Sequence, residues 1–309
     1  MARKGLIQLD SKVSETTAKD LFIQFQTAKG LTDATFTNYE NVWKYFFSWY
    51  GGGVNDITQR SVTDWISFMK MKGIKPVTIN SYLRFLKTML NFFISQGWIL
   101  PFKISLLPSQ ESIKETYTDE EIRILLVRPD KRTATFAAYR DWVIISTFIG
   151  TGIRRSTLIN LKVSDLDLIG GYMNMSHTKN KRANVIPISS TLLSILREYL
   201  VLSKLPSDNY LFPDTYGNPM KFDRLGKIVK HYNTSRGVAR TSIHAFRHTY
   251  ARLMILNGCN VFKLQKLLGH STLDMTRHYV ELFSTDLKDG YDEINPLERI
   301  TASKKRITI

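Results

Sequence analysis

The 309-residue chain has one cysteine, Cys259, so no internal disulfide framework can brace it. No apolar run approaches the ~18 to 20 residues of a membrane span. The opening stretch, MARKGLIQLDSK, lacks the apolar block of a secretory signal. These absences lead us to expect a soluble, cytoplasmic protein without membrane association. Acidic residues are also in short supply. Asp and Glu number 27 against 43 Lys and Arg, a formal net charge of +16, and no carboxylate cluster of the kind that holds two metal ions is apparent. Internal repeats and low-complexity tracts are missing as well.

The chain is long enough for two ordinary domains, and its 43% apolar content is enough for a core in each. The basic excess is spread along it. Residues 1–108 hold thirteen basic and seven acidic residues, net +6, and residues 109–309 hold thirty and twenty, net +10. Two basic regions suit a protein that embraces a polyanion from two sides. A basic protein without a nucleic-acid role would carry the same balance.

Residues 14–97 read as four helices. SETTAKDLFIQFQTAKG places Ala18, Leu21, Phe22 and Phe25 on one face, and TDATFTNYENVWKYFFSWYGGG does the same with Phe36, Tyr39, Trp43, Phe46 and Phe47. TQRSVTDWISFMKMKG and PVTINSYLRFLKTMLNFFISQG repeat the pattern, each closing on glycine. The aromatic stripes are core. The fourth helix also has a polar edge, Thr78, Asn80, Ser81, Arg84 and Lys87, which suits a DNA groove and suits plain solvation nearly as well.

Residues 100–117, with two prolines and little helical period, read as a linker. A helix capped by Thr118 with Glu121 closing the box follows, and then a buried helix in AAYRDWVIISTFIGTG. Alternation at Tyr172–Met175 and Val185–Ile188 around a basic tip predicts a β-hairpin or small sheet. Beyond it the pattern is helical to about residue 294.

Four pieces of the second region carry groups that a core helix does not want. Arg154 opens a helix beside Gly152, where its planar fork can meet a phosphate. Lys179, Lys181 and Arg182 crowd the hairpin tip, either a solvated turn or a mobile cation reaching into a groove. His244 and Arg247, three apart, share a helix face. His270 follows a helix-ending glycine, and Tyr279 lies nine residues on. His244 and His248 are four apart, but no glutamate follows His244 and no third ligand is obvious, so zinc is not implied.

Taken in order, these pieces resemble the tyrosine recombinases, or phage-type integrases. The matching boxes are TGIR, TK…VIPI, HAFRHTYA, LGHS and TRHY, and the likeness extends to TFTNYENVWKYFFSWY and TINSYLRFLKTMLNFF in the first region. The resemblance implies a mainly α fold of two domains: a four-helix, SAM-like core-binding domain over 14–99 and an α-rich catalytic domain with a small β-sheet over 118–283. Residues 1–13 would be a tail, 100–117 the linker, and 284–309 a C-terminal segment docking onto a neighbouring protomer. The stripe Leu287, Tyr291, Ile294 asks for such a partner. With no arm-binding domain expected before residue 14, a simple or transposon-borne recombinase is favoured.

The family likeness implies a mechanism too. Tyr279 would attack a phosphodiester and form a 3′-phosphotyrosine link, with no ATP, metal or other cofactor. Arg154 and Arg247 would clamp the non-bridging oxygens. Lys179 would protonate the leaving 5′-oxygen, His244 would act as acid/base near the tyrosine oxygen, and His270 would donate to a phosphate oxygen. Arg155 and His248 adjoin these positions as supporting residues. Thr157 stands where many family members carry an acid. The partners implied are double-stranded recombination sites and three further copies, a homotetramer on DNA that is monomeric or weakly associated when free. A type IB topoisomerase-like nicking enzyme and a non-catalytic DNA-binding protein are the alternatives.

Overall fold

The computed structural model describes residues 12–108, 115–130, 132–175 and 184–270, together with Thr272, Leu273, Thr276, Arg277, Tyr279 and 295–297. The chain forms two compact units, Met1–Ser112 and Ile113–Ile309.

The first unit holds four helices, α1 (Glu15–Thr27), α2 (Asp33–Tyr50), α3 (Gln59–Met71) and α4 (Pro76–Ser95). Their ends follow local chemistry. Ser14 caps α1, Thr58 and Ser61 form a reciprocal box at α3, and Pro76 opens α4 where its missing N–H costs nothing. The apolar stripes meet in an aromatic core in which Phe22, Phe46, Trp65 and Leu83 are fully buried. Trp43 stacks on Phe47 and donates its indole N–H to Glu15 at 2.9 Å, so its polar edge is satisfied.

Two expectations are corrected here. The stretch from residue 100 is not free linker at its start, because Ile99 and Ile104 are buried in this core and Phe102 and Leu107 pack against it. Asn80, expected on a DNA-facing edge, is 3% exposed. Its amide donates to Leu107 O at 2.9 Å and accepts from Leu107 N at 2.8 Å. Both ends of the side chain thus replace a strand partner for residue 107, and burial keeps the amide from a base edge. Thr78, Ser81, Arg84 and Lys87 are exposed.

The second unit is built around α6 (Phe136–Thr151), whose Val143, Ile144, Ile145 and Phe148 are all buried. Around it lie α5 (Asp119–Leu126), α7 (Arg155–Asn160), α8 (Ser190–Ser203), α9 (Phe222–Ser235), α10 (Ile243–Leu256) and α11 (Val261–Leu268). The Thr118–Glu121 capping box opens α5. An antiparallel sheet of order β1-β2-β3 comprises Leu166–Asp167, Tyr172–Met175 and Asn184–Pro187, with Met173 opposite Ile186 on the buried face. Among the described residues no helix is long and apolar enough to cross a membrane.

The end of the expected linker is likewise fixed. Tyr117 is fully buried, stacks on Phe246 of α10 at 4.2 Å, and its backbone N–H donates to Thr249 Oγ1 at 2.8 Å. Nor is the chain after the hairpin wholly helical. Residues 204–221 form an irregular connection that buries Leu211 and Phe212, since Pro206, Pro213 and Pro219 deny it helical hydrogen bonds. Asp214 turns the chain by accepting from the backbone of Tyr216 and Asn218.

Candidate active site

Three helix ends converge. The C-terminus of α6 stops at Gly152, whose φ of +59° is left-handed and whose N–H closes on Phe148 O at 2.9 Å. The chain then runs extended through Arg154, which precedes α7. The C-terminus of α11 stops at Gly269, again left-handed at φ +60°, and leads into His270. Between them runs α10, with His244 exposed in its first turn, Arg247 8% exposed and His248 half-buried.

The arginines are held by carbonyls. Arg247 donates Nη1 to Gly152 O at 2.8 Å and Nη2 to Leu268 O at 2.7 Å. Arg154 donates Nη2 to Gly269 O at 3.1 Å. The Gly152 and Leu268 carbonyls close the C-termini of α6 and α11, where the helix dipole is negative, so they orient a cation without neutralising it. Arg247 also hydrogen-bonds with the Tyr279 side chain, so the fork that the carbonyls orient faces the phenol. Asn184 at the start of β3 donates to Lys266 O at 2.9 Å and ties the hairpin to the turn at Gly269.

Tyr279 is 5% exposed. Its ring lies parallel to that of His270, with centroids 6.0 Å apart and planes 6° off, and His270 Nδ1 is 2.8 Å from Thr276 Oγ1. His248 Nδ1 is 2.7 Å from the Tyr279 hydroxyl. Burial lowers the Arg247 pKa to about 10, Arg154 adds to the fall, and Tyr279 opposes it. Burial lowers that of Arg154 as well, again against Tyr279. The Tyr279 phenol is raised by burial and held back by Arg247 and Arg154. Two cations therefore act on one buried hydroxyl, a place where negative charge can develop.

Of the residues singled out in the sequence, Arg154, Arg247, His270 and Tyr279 come together here, and His244 stands exposed on the same helix as Arg247. Lys179, Lys181 and Arg182 lie outside the described residues, as does the stripe Leu287, Tyr291, Ile294. Arg155 points elsewhere, its guanidinium 4.8 Å over the Phe222 ring of α9. Thr157 is buried, 3% exposed. His248, expected only as a supporting residue, has its Nδ1 at the Tyr279 hydroxyl; in the sequence it is marked by its place next to Arg247 and four residues after His244.

A family model described as the phage integrase family matches residues 115–285, more than half of the chain, and one described as the phage integrase SAM-like domain matches residues 10–104. The chain belongs to the phage integrase family. Among its relatives are a tyrosine recombinase XerD of Staphylococcus haemolyticus, 23% identical over 91% of this chain and 99% of that protein, and a tyrosine recombinase XerA of Pyrococcus furiosus, 26% identical over 84% and 88%. Within the family the chain is a tyrosine-type site-specific recombinase. In fold it resembles the Tn1549 transposon integrase in complex with transposon right-end DNA, with a TM-score of 0.71 at 22% identity, covering 92% of this chain and 99% of that one. It also resembles the XerH site-specific recombinase bound to palindromic difH substrate, with a TM-score of 0.71 at 19% identity, covering 91% and 83%.

Proposed function

We propose that the protein cuts and rejoins double-stranded DNA at specific sites through a 3′-phosphotyrosine intermediate on Tyr279. One observation carries the residue assignment: the Tyr279 side chain is buried against His270, with its hydroxyl 2.7 Å from His248 Nδ1 and within the field of Arg247 and Arg154. The tyrosine oxygen bonds to phosphorus as the P–O5′ bond breaks. Arg154 and Arg247 neutralise the charge growing on the non-bridging oxygens, supported by their carbonyl-fixed orientation. His270 donates to a phosphate oxygen, Lys179 protonates the leaving 5′-oxygen, and His244 serves as acid/base at the open side of α10. The covalent ester conserves the bond energy, so rejoining needs no ATP.

The basic excess in both halves of the chain supports a grip on duplex DNA from two units, with Arg84 and Lys87 of α4 and Lys181 and Arg182 of the hairpin on the phosphates. Four protomers exchange strands pairwise through a Holliday junction. Free protomers are monomeric or weakly associated, act in the cytoplasm, and join through the 284–309 tail. A nicked suicide substrate tests this reading. The wild type should form an SDS-resistant adduct within a paired complex, and Tyr279→Phe should bind DNA with near-normal affinity and form none. An adduct from Tyr279→Phe would overturn the assignment, and wild-type adduct without pairing would make the enzyme a monomeric nicking one.

A further inference from the structure

Two histidines stand one turn apart on α10, which carries Arg247 between them. His244 is exposed. His248 is half-buried, its Nδ1 is 2.7 Å from the Tyr279 oxygen, and the two ring centroids are 5.5 Å apart. We propose that His248 is a further catalytic residue, the general base that takes the Tyr279 proton at cleavage and returns it at rejoining. This rests on Tyr279 being the nucleophile.

The contact is not the chance position of a swinging side chain, because α10 is fixed on both sides of it. On one side Thr249 Oγ1 accepts from Tyr117 N at 2.8 Å and donates to Ala245 O at 2.7 Å. On the other the Arg247 fork is spread between Gly152 O and Leu268 O. His248 lies between two anchored neighbours, and its direction is set by the helix. Geometry comes first for a general base, and 2.7 Å is within the reach such a transfer needs.

The chemistry requires one. A phenol kept protonated by burial attacks poorly until its proton leaves. With its own proton on Nε2, His248 accepts the Tyr279 proton at Nδ1 and becomes an imidazolium. The phenolate oxygen bonds to phosphorus, the P–O5′ bond breaks, and the departing 5′-oxygen takes a proton from Lys179. In rejoining, the 5′-hydroxyl attacks and returns its proton to Lys179, the Tyr279–phosphorus bond breaks, and the tyrosine oxygen recovers its proton from His248. Among the described residues, the charged and titratable groups facing the pair include Arg247 on the same helix, Arg154 before α7, and His270 stacked on Tyr279, with His244 one turn away on α10.

The test uses full-length protein and a nicked duplex carrying a site selected from the native flanking DNA, with single-turnover adduct formation followed against pH. His248→Asn keeps a hydrogen-bond acceptor near the position of Nδ1 but cannot carry the proton. It should bind DNA normally and form adduct about a hundredfold more slowly. Wild type should show a rise of rate with pH, and this variant should lose it. His244→Asn, though slower, should keep that rise. A 5′-phosphorothiolate relieves the leaving group and not the nucleophile, so it should leave His248→Asn slow. The proposal fails if His248→Asn stays within about threefold of wild type, gains rate, keeps the pH profile, or is restored by the phosphorothiolate. If the Asn variant does not fold, His248→Gln is held to the same criteria. Tyr279→Phe runs alongside: an adduct there defeats the nucleophile assignment itself, whereas its absence with an active His248→Asn defeats only the base.

Discussion

Gly152→Ala should be strongly destabilising. The residue sits at φ +59°, and a Cβ there would lie 2.6 Å from Tyr250 Cδ1, 2.9 Å from Tyr250 Cγ and 3.2 Å from Leu268 Cδ2. The left-handed backbone costs an alanine about 1–2 kcal/mol. Overpacking against a ring and a leucine adds about 1–3 kcal/mol. The sum, about 2–5 kcal/mol, is a large part of the ~5–15 kcal/mol that holds an ordinary domain. Gly258 supplies the control. Its φ is +74°, yet no atom lies within 4 Å of where its Cβ would stand, so Gly258→Ala should show the backbone cost alone. Urea titration of both variants should give midpoints separated by roughly 1 M, given a slope of about 1–3 kcal/mol per M. Activity should separate them further. Gly152 O is one of the two carbonyls that fix Arg247, so a displaced turn should cut adduct formation at least about tenfold in protein that is still folded, whereas Gly258→Ala should cleave normally. Coincident midpoints, or a normal adduct rate from folded Gly152→Ala, would refute this account of the turn.

Two further outcomes follow from named contacts. Asn80→Ala should destabilise the first unit by about 1–3 kcal/mol in urea, because it removes the partner of the partly buried Leu107 N–H and C=O, and should leave the DNA affinity of folded protein unchanged; a selective loss of affinity would return Asn80 to the DNA face. Lys179→Ala should slow adduct formation by orders of magnitude on ordinary DNA and recover on a 5′-phosphorothiolate. Recovery by a Lys181 or Arg182 variant instead would move the general acid along the hairpin.

Much of the fold is visible in local pattern. Glycine-terminated apolar stripes give α1 to α4, a reciprocal Thr118–Glu121 box gives the start of α5, and unbroken apolar sequence gives the buried α6. What local pattern cannot supply is the identity of distant partners. Asn80 reads as polar edge because its partner, residue 107, lies in what reads as linker. Residues 204–221 read as helix because their apolar residues are spaced suitably, although three prolines withdraw the donors. His248 illustrates the same limit at the site. Its spacing shows that it shares a face with His244, but not which of the two meets a tyrosine thirty-one residues later. That depends on how the Gly269 turn returns the chain across α10, which is tertiary information.

The site also shows why a buried arginine, Arg247, can be tolerated beside the half-buried Arg154. A desolvated guanidinium commonly sits against a carboxylate, and removing that partner is costly. At the position three after Arg154 this chain has Thr157, and the groups acting most strongly on Arg247 are Arg154 and the hydroxyls of Tyr279 and Tyr250. Carbonyls at the ends of α6 and α11 do the holding instead. A carboxylate would hold Arg247 more tightly, but it would cancel the charge and compete with a phosphate for the same fork. Carbonyls fix direction and leave the field intact. The consequence is a buried Arg247 with a like charge, the half-buried Arg154, acting on it, and its pKa is depressed by burial first and by Arg154 second. Because about 10 is still well above neutral, the sign of the effect is clear: Arg247 remains a cation at neutral pH, so the cost appears as reduced stability of the empty site rather than as lost charge. A phosphodiester entering between the forks relieves the repulsion, and relieves it most when a further negative charge builds at the transition state. Placing the arginines against the ends of rigid helices, with glycines at 152 and 269 making the turns, keeps that relief directed at one point beside the Tyr279 oxygen.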